Sequence, residues 1–151
     1  MTTLPKIPPT SGQLLGGCHH LPVRVYYEDS DQQGFVFYAN YLRYFERGRT
    51  EFLRHLGAAP VTIEARLGLV FVVARIDVSY HQPARLDDIL QVRTSVEKKG
   101  RVKLLMHQEI YRDQTRLTSA KVTLALIDRQ GRPARLVPEL DACFDRLRDP
   151  L

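Results

Sequence analysis

The residues best placed to do chemistry lie between positions 26 and 53, where the chain reads YYEDSDQQGFVFYANYLRYFERGRTEFL. Three acids, Glu28, Asp29 and Asp31, close an alternating segment. Gly34 follows as a turn, then an aromatic run over 35–38, and a helix-patterned stretch opens at Ala39 or Asn40. The start of a helix exposes backbone N–H groups with no partner inside the helix, and the macrodipole makes that end positive. A carboxylate held just before it sits beside a polariser for a carbonyl oxygen, which is the arrangement an acyl-transfer hydrolase needs. The same acids have two plainer uses. They can cap the helix or complement its dipole, or as a pair they can suit Mg²⁺, although no further ligands stand out for such a site.

The surrounding pattern says which elements would hold these groups. Residues 21–28 alternate Val23, Val25 and Tyr27 against Arg24 and Tyr26, as a half-buried strand does. A helix is expected over 39–56, stopped by Gly57, with Leu42, Phe45, Phe52, Leu53 and Leu56 as its apolar stripe. Gly48 lies level with that stripe and lets the helix approach another surface closely, while Arg47 and Glu51 are spaced to pair on the wet side. Eighteen residues at ~1.5 Å each make a rod of about 27 Å, enough to lie across a sheet. Residues 60–68, from Pro60 to the stop at Gly68, read as a short helix or turn. Four strands then follow over 69–81, 89–97, 101–112 and 115–127, separated by turns at Pro83 to Asp88, Lys98-Lys99-Gly100 and Asp113-Gln114. A last helix, led by Pro138, is expected over 137–146. Short turns favour antiparallel neighbours, so the expected class is α+β: one helix against a five-stranded antiparallel sheet. The bare edges of such a sheet are costly to leave uncovered.

The run Asp29-Ser30-Asp31-Gln32-Gln33-Gly34-Phe35-Val36-Phe37-Tyr38-Ala39-Asn40-Tyr41, followed by Tyr44-Phe45-Glu46-Arg47 and Arg49, resembles the signature of the 4-hydroxybenzoyl-CoA thioesterase family. Its nearest branch looks like the acyl-CoA thioesterases associated with the bacterial Tol–Pal envelope complex, and the resemblance spans about residues 21–128. It implies the hotdog fold, in which the sheet wraps around one long central helix, and hydrolysis of an acyl- or aroyl-CoA to free acid and CoA. On this resemblance Asp31 is the catalytic carboxylate, either a nucleophile that forms a mixed anhydride or a general base on water. The backbone N–H of Tyr38 polarises the carbonyl, and Gly34 lets the turn come close to the thioester. Family members contact the nucleotide from around the 98–103 hairpin, which points to Arg101 and Lys99. They also pair edge to edge, so a homodimer or homotetramer is expected. No cofactor is implied, because coenzyme A is part of the substrate; an acyl carrier protein is the alternative carrier. The chain departs from the Tol–Pal-associated branch at Phe37-Tyr38, where that branch usually has Tyr-His and the 4-hydroxybenzoyl branch has tyrosine. Losing the imidazole removes a group that titrates near neutral pH. A non-catalytic acyl-CoA or acyl-carrier binding module of an envelope or lipid-synthesis complex is therefore a second reading. A hotdog dehydratase is a third, although no His and acid pair stands out for it.

Composition bounds the rest. With 151 residues the chain suits one domain, with residues 1–20 as a flexible tail and 21–151 as the folded unit. No run approaches the ~18 apolar residues of a membrane span. The Pro-, Gly- and Ser-containing start lacks the charged and apolar regions of a signal peptide, so a cytoplasmic location is expected. The net charge of +5 rests on 17 Arg and 5 Lys against 17 acids. It suits the phosphates of coenzyme A, whereas no helix-turn-helix, zinc-finger or RNA-recognition pattern supports nucleic acid. Cys18 and Cys143 stand apart as plain thiols. The histidines lack metal-site spacing, and no Ser-His-Asp set can be assembled, so no metal is expected.

Overall fold

Period-two alternation builds most of the sheet. In the computed structural model, which describes residues 1–145 and 147, β1 (Gln13–Leu15) and β2 (Cys18–Arg24) precede the long helix α1 (Tyr41–His55) and the short helix α2 (Pro60–Leu67). Then come β3 (Val70–Tyr80), β4 (Ile89–Lys99), β5 (Lys103–Arg112), β6 (Thr115–Ile127) and α3 (Pro138–Asp145). The expected end of the last helix at Arg146 lies outside the described residues. One six-stranded sheet runs β1-β2-β4-β5-β6-β3, and every paired neighbour is antiparallel. β3 carries a bulge against β6 between Val73 and Arg75.

One face of the sheet is apolar and packs on α1. Leu90 and Val92 of β4, Leu104, Met106 and Ile110 of β5, and Val122, Leu124 and Leu126 of β6 all point inward. The helix answers with Tyr41, Tyr44, Phe45, Phe52 and Leu53. Fully burying each Phe of this stripe contributes ~1.5–3 kcal/mol. Gly48 is the closest approach: a Cβ there would lie 2.8 Å from Val92 Cγ1 and 2.9 Å from Thr94 Oγ1. The stripe is phased on Tyr41 and Tyr44 rather than on Leu42, which faces solvent. Arg47 does not pair with Glu51; its guanidinium sits over the Tyr44 ring, and Glu51 pairs with Arg54 at 3.1 Å.

Two expectations need correcting at the N-terminus. The sheet has six strands, not five, and the supposed tail is regular from Gln13 onward. β1 pairs with β2 as Gln13↔His20, Leu14↔His19 and Leu15↔Cys18, across a two-residue turn at Gly16-Gly17. Both glycines have positive φ, the conformation a tight hairpin turn demands. Burial of His19 and Leu21 draws this hairpin into the fold. β2 therefore starts and ends earlier than the 21–28 pattern suggests, and Tyr27–Asp29 forms a 3₁₀ turn instead.

Candidate active site

β2 leads into the acidic loop, and the loop is latched to the segment before β4. The Val25 N–H donates to the Asp88 carbonyl (2.9 Å), and the Asp87 N–H donates to the Val25 carbonyl (3.0 Å). Beyond the 3₁₀ turn, the Val36 N–H bonds the Ala84 carbonyl and the Leu86 N–H bonds the Gly34 carbonyl, both at 3.0 Å. Between these latches the chain doubles back in a tight turn. The Asp31 N–H donates to the Phe35 carbonyl (2.7 Å), and the Gly34 N–H donates to the Asp31 carbonyl (3.1 Å). Gly34 has φ +81°, so only a residue without a Cβ sits there unstrained.

The Asp31 side chain is exposed at the tip of this turn. Its Oδ1 accepts the N–H groups of Gln33 (2.8 Å) and Phe35 (3.2 Å). Its Oδ2 has no hydrogen-bond partner among the described residues. After the turn, Tyr38–Asn40 forms one 3₁₀ turn that runs straight into α1. The Tyr38 N–H opens that turn and makes no hydrogen bond among the described residues. The Tyr38 carbonyl accepts the Tyr80 hydroxyl at 2.8 Å, and the Tyr80 ring packs edge-on against Tyr41. Tyr41 in turn accepts the Ala84 N–H at 2.9 Å. Asp31, Gly34 and Tyr38 are thus held on one short loop. Tyr80 has no motif to announce it in the sequence; its place as the last residue of β3 is what brings it there.

Lys99 and Arg101 are not at this end of the chain. β4 begins beside Arg24, next to the acidic loop, and finishes at Lys99, so ten residue steps of about 3.3 Å separate them, roughly 33 Å. Lys99 is engaged by Asp141 of α3, with Asp145 3.8 Å away. Arg101 is exposed and lines a cavity of about 400 Å³ with Lys99, Arg135 and Asp141. Another groove, of about 450 Å³, lies between α1, α2 and β3, with Leu53, Val61, Phe71 and Val73 among its walls. Arg49 opens on this groove while donating to Gln108 Oε1 at 3.0 Å. Burial lowers its pKa, and Glu46 opposes that shift. Fully buried Gln108 passes the link on to the Phe45 carbonyl and Thr94 Oγ1, tying helix to sheet.

A six-stranded antiparallel sheet around one long helix, with a carboxylate on the loop before it, defines a class. Residues 33–119 match the family model of the thioesterase superfamily, a match that opens just past Asp31. Among relatives, the acyl-CoA thioesterase YbgC of Haemophilus influenzae is 39% identical over 128 residues, covering 84% of this chain and 94% of its own length. A probable thioesterase from Bartonella henselae superposes with a TM-score of 0.77 at 36% identity, over 80% of this chain and 99% of the other. The DHNA-CoA thioesterase of Staphylococcus aureus shares the fold, with a TM-score of 0.81 at 22% identity over 87% and 91% of the two chains. The chain belongs to the thioesterase superfamily and has its hotdog fold.

Proposed function

We propose that the protein hydrolyses acyl-CoA thioesters, with Asp31 as the catalytic carboxylate and the Tyr38 N–H as the carbonyl polariser. The observation that carries this reading is the pairing, on one loop, of an exposed carboxylate with an N–H, unbonded among the described residues, at the 3₁₀ turn that leads into α1. Asp31 Oδ1 is held by two backbone donors while Oδ2 remains open to attack the thioester carbon or to take a proton from water. As the carbonyl oxygen gains charge, the Tyr38 N–H and the positive end of α1 stabilise it. The Tyr80 bond to the Tyr38 carbonyl holds the next peptide, Tyr38–Ala39, and so anchors the backbone on the helix side of that N–H. Gly34 keeps the turn compact beside the reacting bond.

The working unit we infer is a homodimer joined along β3, or a homotetramer made of two such dimers. β3 is an uncovered edge with Val72, Val73 and Tyr80 exposed. An antiparallel pairing about the middle of β3 sets Tyr80 of one copy beside Val70 of the other. One copy's Asp31 loop then faces the groove between the helices and β3 of its partner, where an acyl chain can lie. The same pairing carries the partner's β4–β5 hairpin to the Asp31 end, which gives Arg101 a route to CoA phosphate; Lys99 is already held by Asp141. The two unpaired thiols, Cys18 and Cys143, fit work in the cytoplasm.

The test is steady-state hydrolysis of short, long and aromatic acyl-CoAs, with Asp31→Asn alongside. Wild type is expected to turn over at least one class, and Asp31→Asn to lose ~10²-fold or more in kcat with its melting temperature unchanged. CoA-ester binding with no turnover by wild type defeats the hydrolase reading. An unchanged rate in Asp31→Asn removes Asp31 from its role.

A further inference from the structure

Two residues before the exposed Asp31 stands an aspartate of the opposite kind. Asp29 is only 3% exposed, and no Lys, Arg or His reaches it within ion-pairing distance among the described residues. Its Oδ2 accepts the Tyr26 N–H at 2.8 Å, closing the 3₁₀ turn that leaves β2. Its Oδ1 accepts Nδ2 of buried Asn40 at 2.9 Å. Its backbone carbonyl accepts the Phe37 N–H at 3.0 Å. Simple capping does not account for this set. An aspartate capping α1 would bond the first N–H groups of that helix, whereas this one caps the earlier 3₁₀ turn through the Tyr26 N–H and reaches α1 only through the Asn40 side chain. Asn40 occupies the N-cap position of α1 yet makes no side-chain cap bond; its amide reaches sideways to Asp29. One turn on, the Tyr44 hydroxyl is buried with no partner in hydrogen-bonding geometry among the described residues, and burial together with the neighbouring Asp29 charge raises its pKa.

The topology gives this knot a job. Asp31 lies between residues 29 and 37, and both ends of that span are tied to Asp29. Through Asn40 the same residue is tied to the start of α1. Resting on the reading of Asp31 and the Tyr38 N–H given above, we propose that the buried Asp29–Asn40 pair is a positioning device that sets the Asp31 turn against the helix start, and so governs kcat rather than substrate binding. A misplacement of about 1 Å at a reacting centre can cost ~10² in rate.

The test uses the full chain, with acyl-CoA hydrolysis and amide hydrogen exchange measured on the same variants. Asn40→Asp sets a second carboxylate against the first at a buried site, where like charges repel. Expected are a kcat lower by ~10²-fold, a KM within about 3-fold of wild type, and lost exchange protection at the Tyr26 and Phe37 amides. The double variant Asp29→Asn with Asn40→Asp restores a carboxylate–carboxamide pair with the roles exchanged and keeps an acceptor for the Tyr26 N–H. It is expected to recover the protection and to bring kcat within about 10-fold of wild type. Should Asn40→Asp fail to fold, Asn40→Ser removes the same bond without adding charge and is expected to lower kcat alone. Lost protection with unchanged kcat, while Asp31→Asn is inactive, overturns the positioning role and leaves Asp31 standing. A swap that regains protection but not kcat also overturns it. If Asp31→Asn keeps full turnover, the catalytic reading and this one fall together.

Discussion

At one edge of the sheet β1 offers three residues, folded back through a Gly-Gly turn; at the other β3 offers eleven, with Val72, Val73 and Tyr80 facing outward. The short edge has little ladder left to donate, and its inward groups are already occupied: Leu14 packs on the core, and His19 across from it bonds the Ser11 carbonyl at 2.8 Å. The long edge keeps both unpaired backbone and exposed apolar side chains. Bare edges of that kind invite a partner. The contrast teaches that the chain closes itself at its N-terminal edge and keeps β3 open, the edge the proposed dimer uses and the strand whose last residue holds Tyr38.

The same type of substitution on each edge separates the two roles. Val72→Lys combined with Ala74→Lys sets four extra cations across a β3 pair. It is expected to give a monomer by light scattering and to lower kcat by ~10²-fold or more, because each loop loses the groove facing it. A dimer that stays active would remove β3 as the joint. Leu14→Lys is expected to cost about 1–2 kcal/mol by denaturant melting, with mass and turnover unchanged. The smallest effect concerns pH and belongs to the short edge alone. The pKa of His19 is lowered, first by burial and then by His55 and His20, against the Ser11 bond and the Glu51 charge. The unfolded chain therefore takes up the proton more readily. Stability from neutral His19 is complete above about pH 6.5 and is lost as pH falls through the lower folded-state pKa. Melting temperature is expected to fall on acidification below that point, with a shallower slope in His19→Phe and no change of mass in either.

Where a pattern was long, the sequence was a good guide. The bounds of β6, the stop of α2 at Gly68 and the close approach at Gly48 all follow from periodicity and residue type. The family signature around Asp31 likewise led to the fold. β1 escaped because three residues cannot show a period; the Gly16-Gly17 turn between apolar neighbours was the available signal. Leu42 was misplaced because tyrosines, which read as amphipathic, took the buried face of α1. The Lys99 pairing was not legible because its partner, Asp141, lies 42 residues on in another element. Asp29 could be read only as one of three acids able to cap the helix; its pairing with Asn40 spans a loop whose path no local rule specifies.

The bulge between Val73 and Arg75 limits what β3 can do with a neighbour. A regular strand can slide by two residues and still match, which is how open-ended fibres begin; one extra residue in mid-strand makes every slipped alignment mismatched. Two copies that meet in the single matching register use up both long edges, and only three-residue stubs remain outside. In the proposed pairing, edge-to-edge growth then has no long strand left to extend, which would keep an abundant protein from forming a filament.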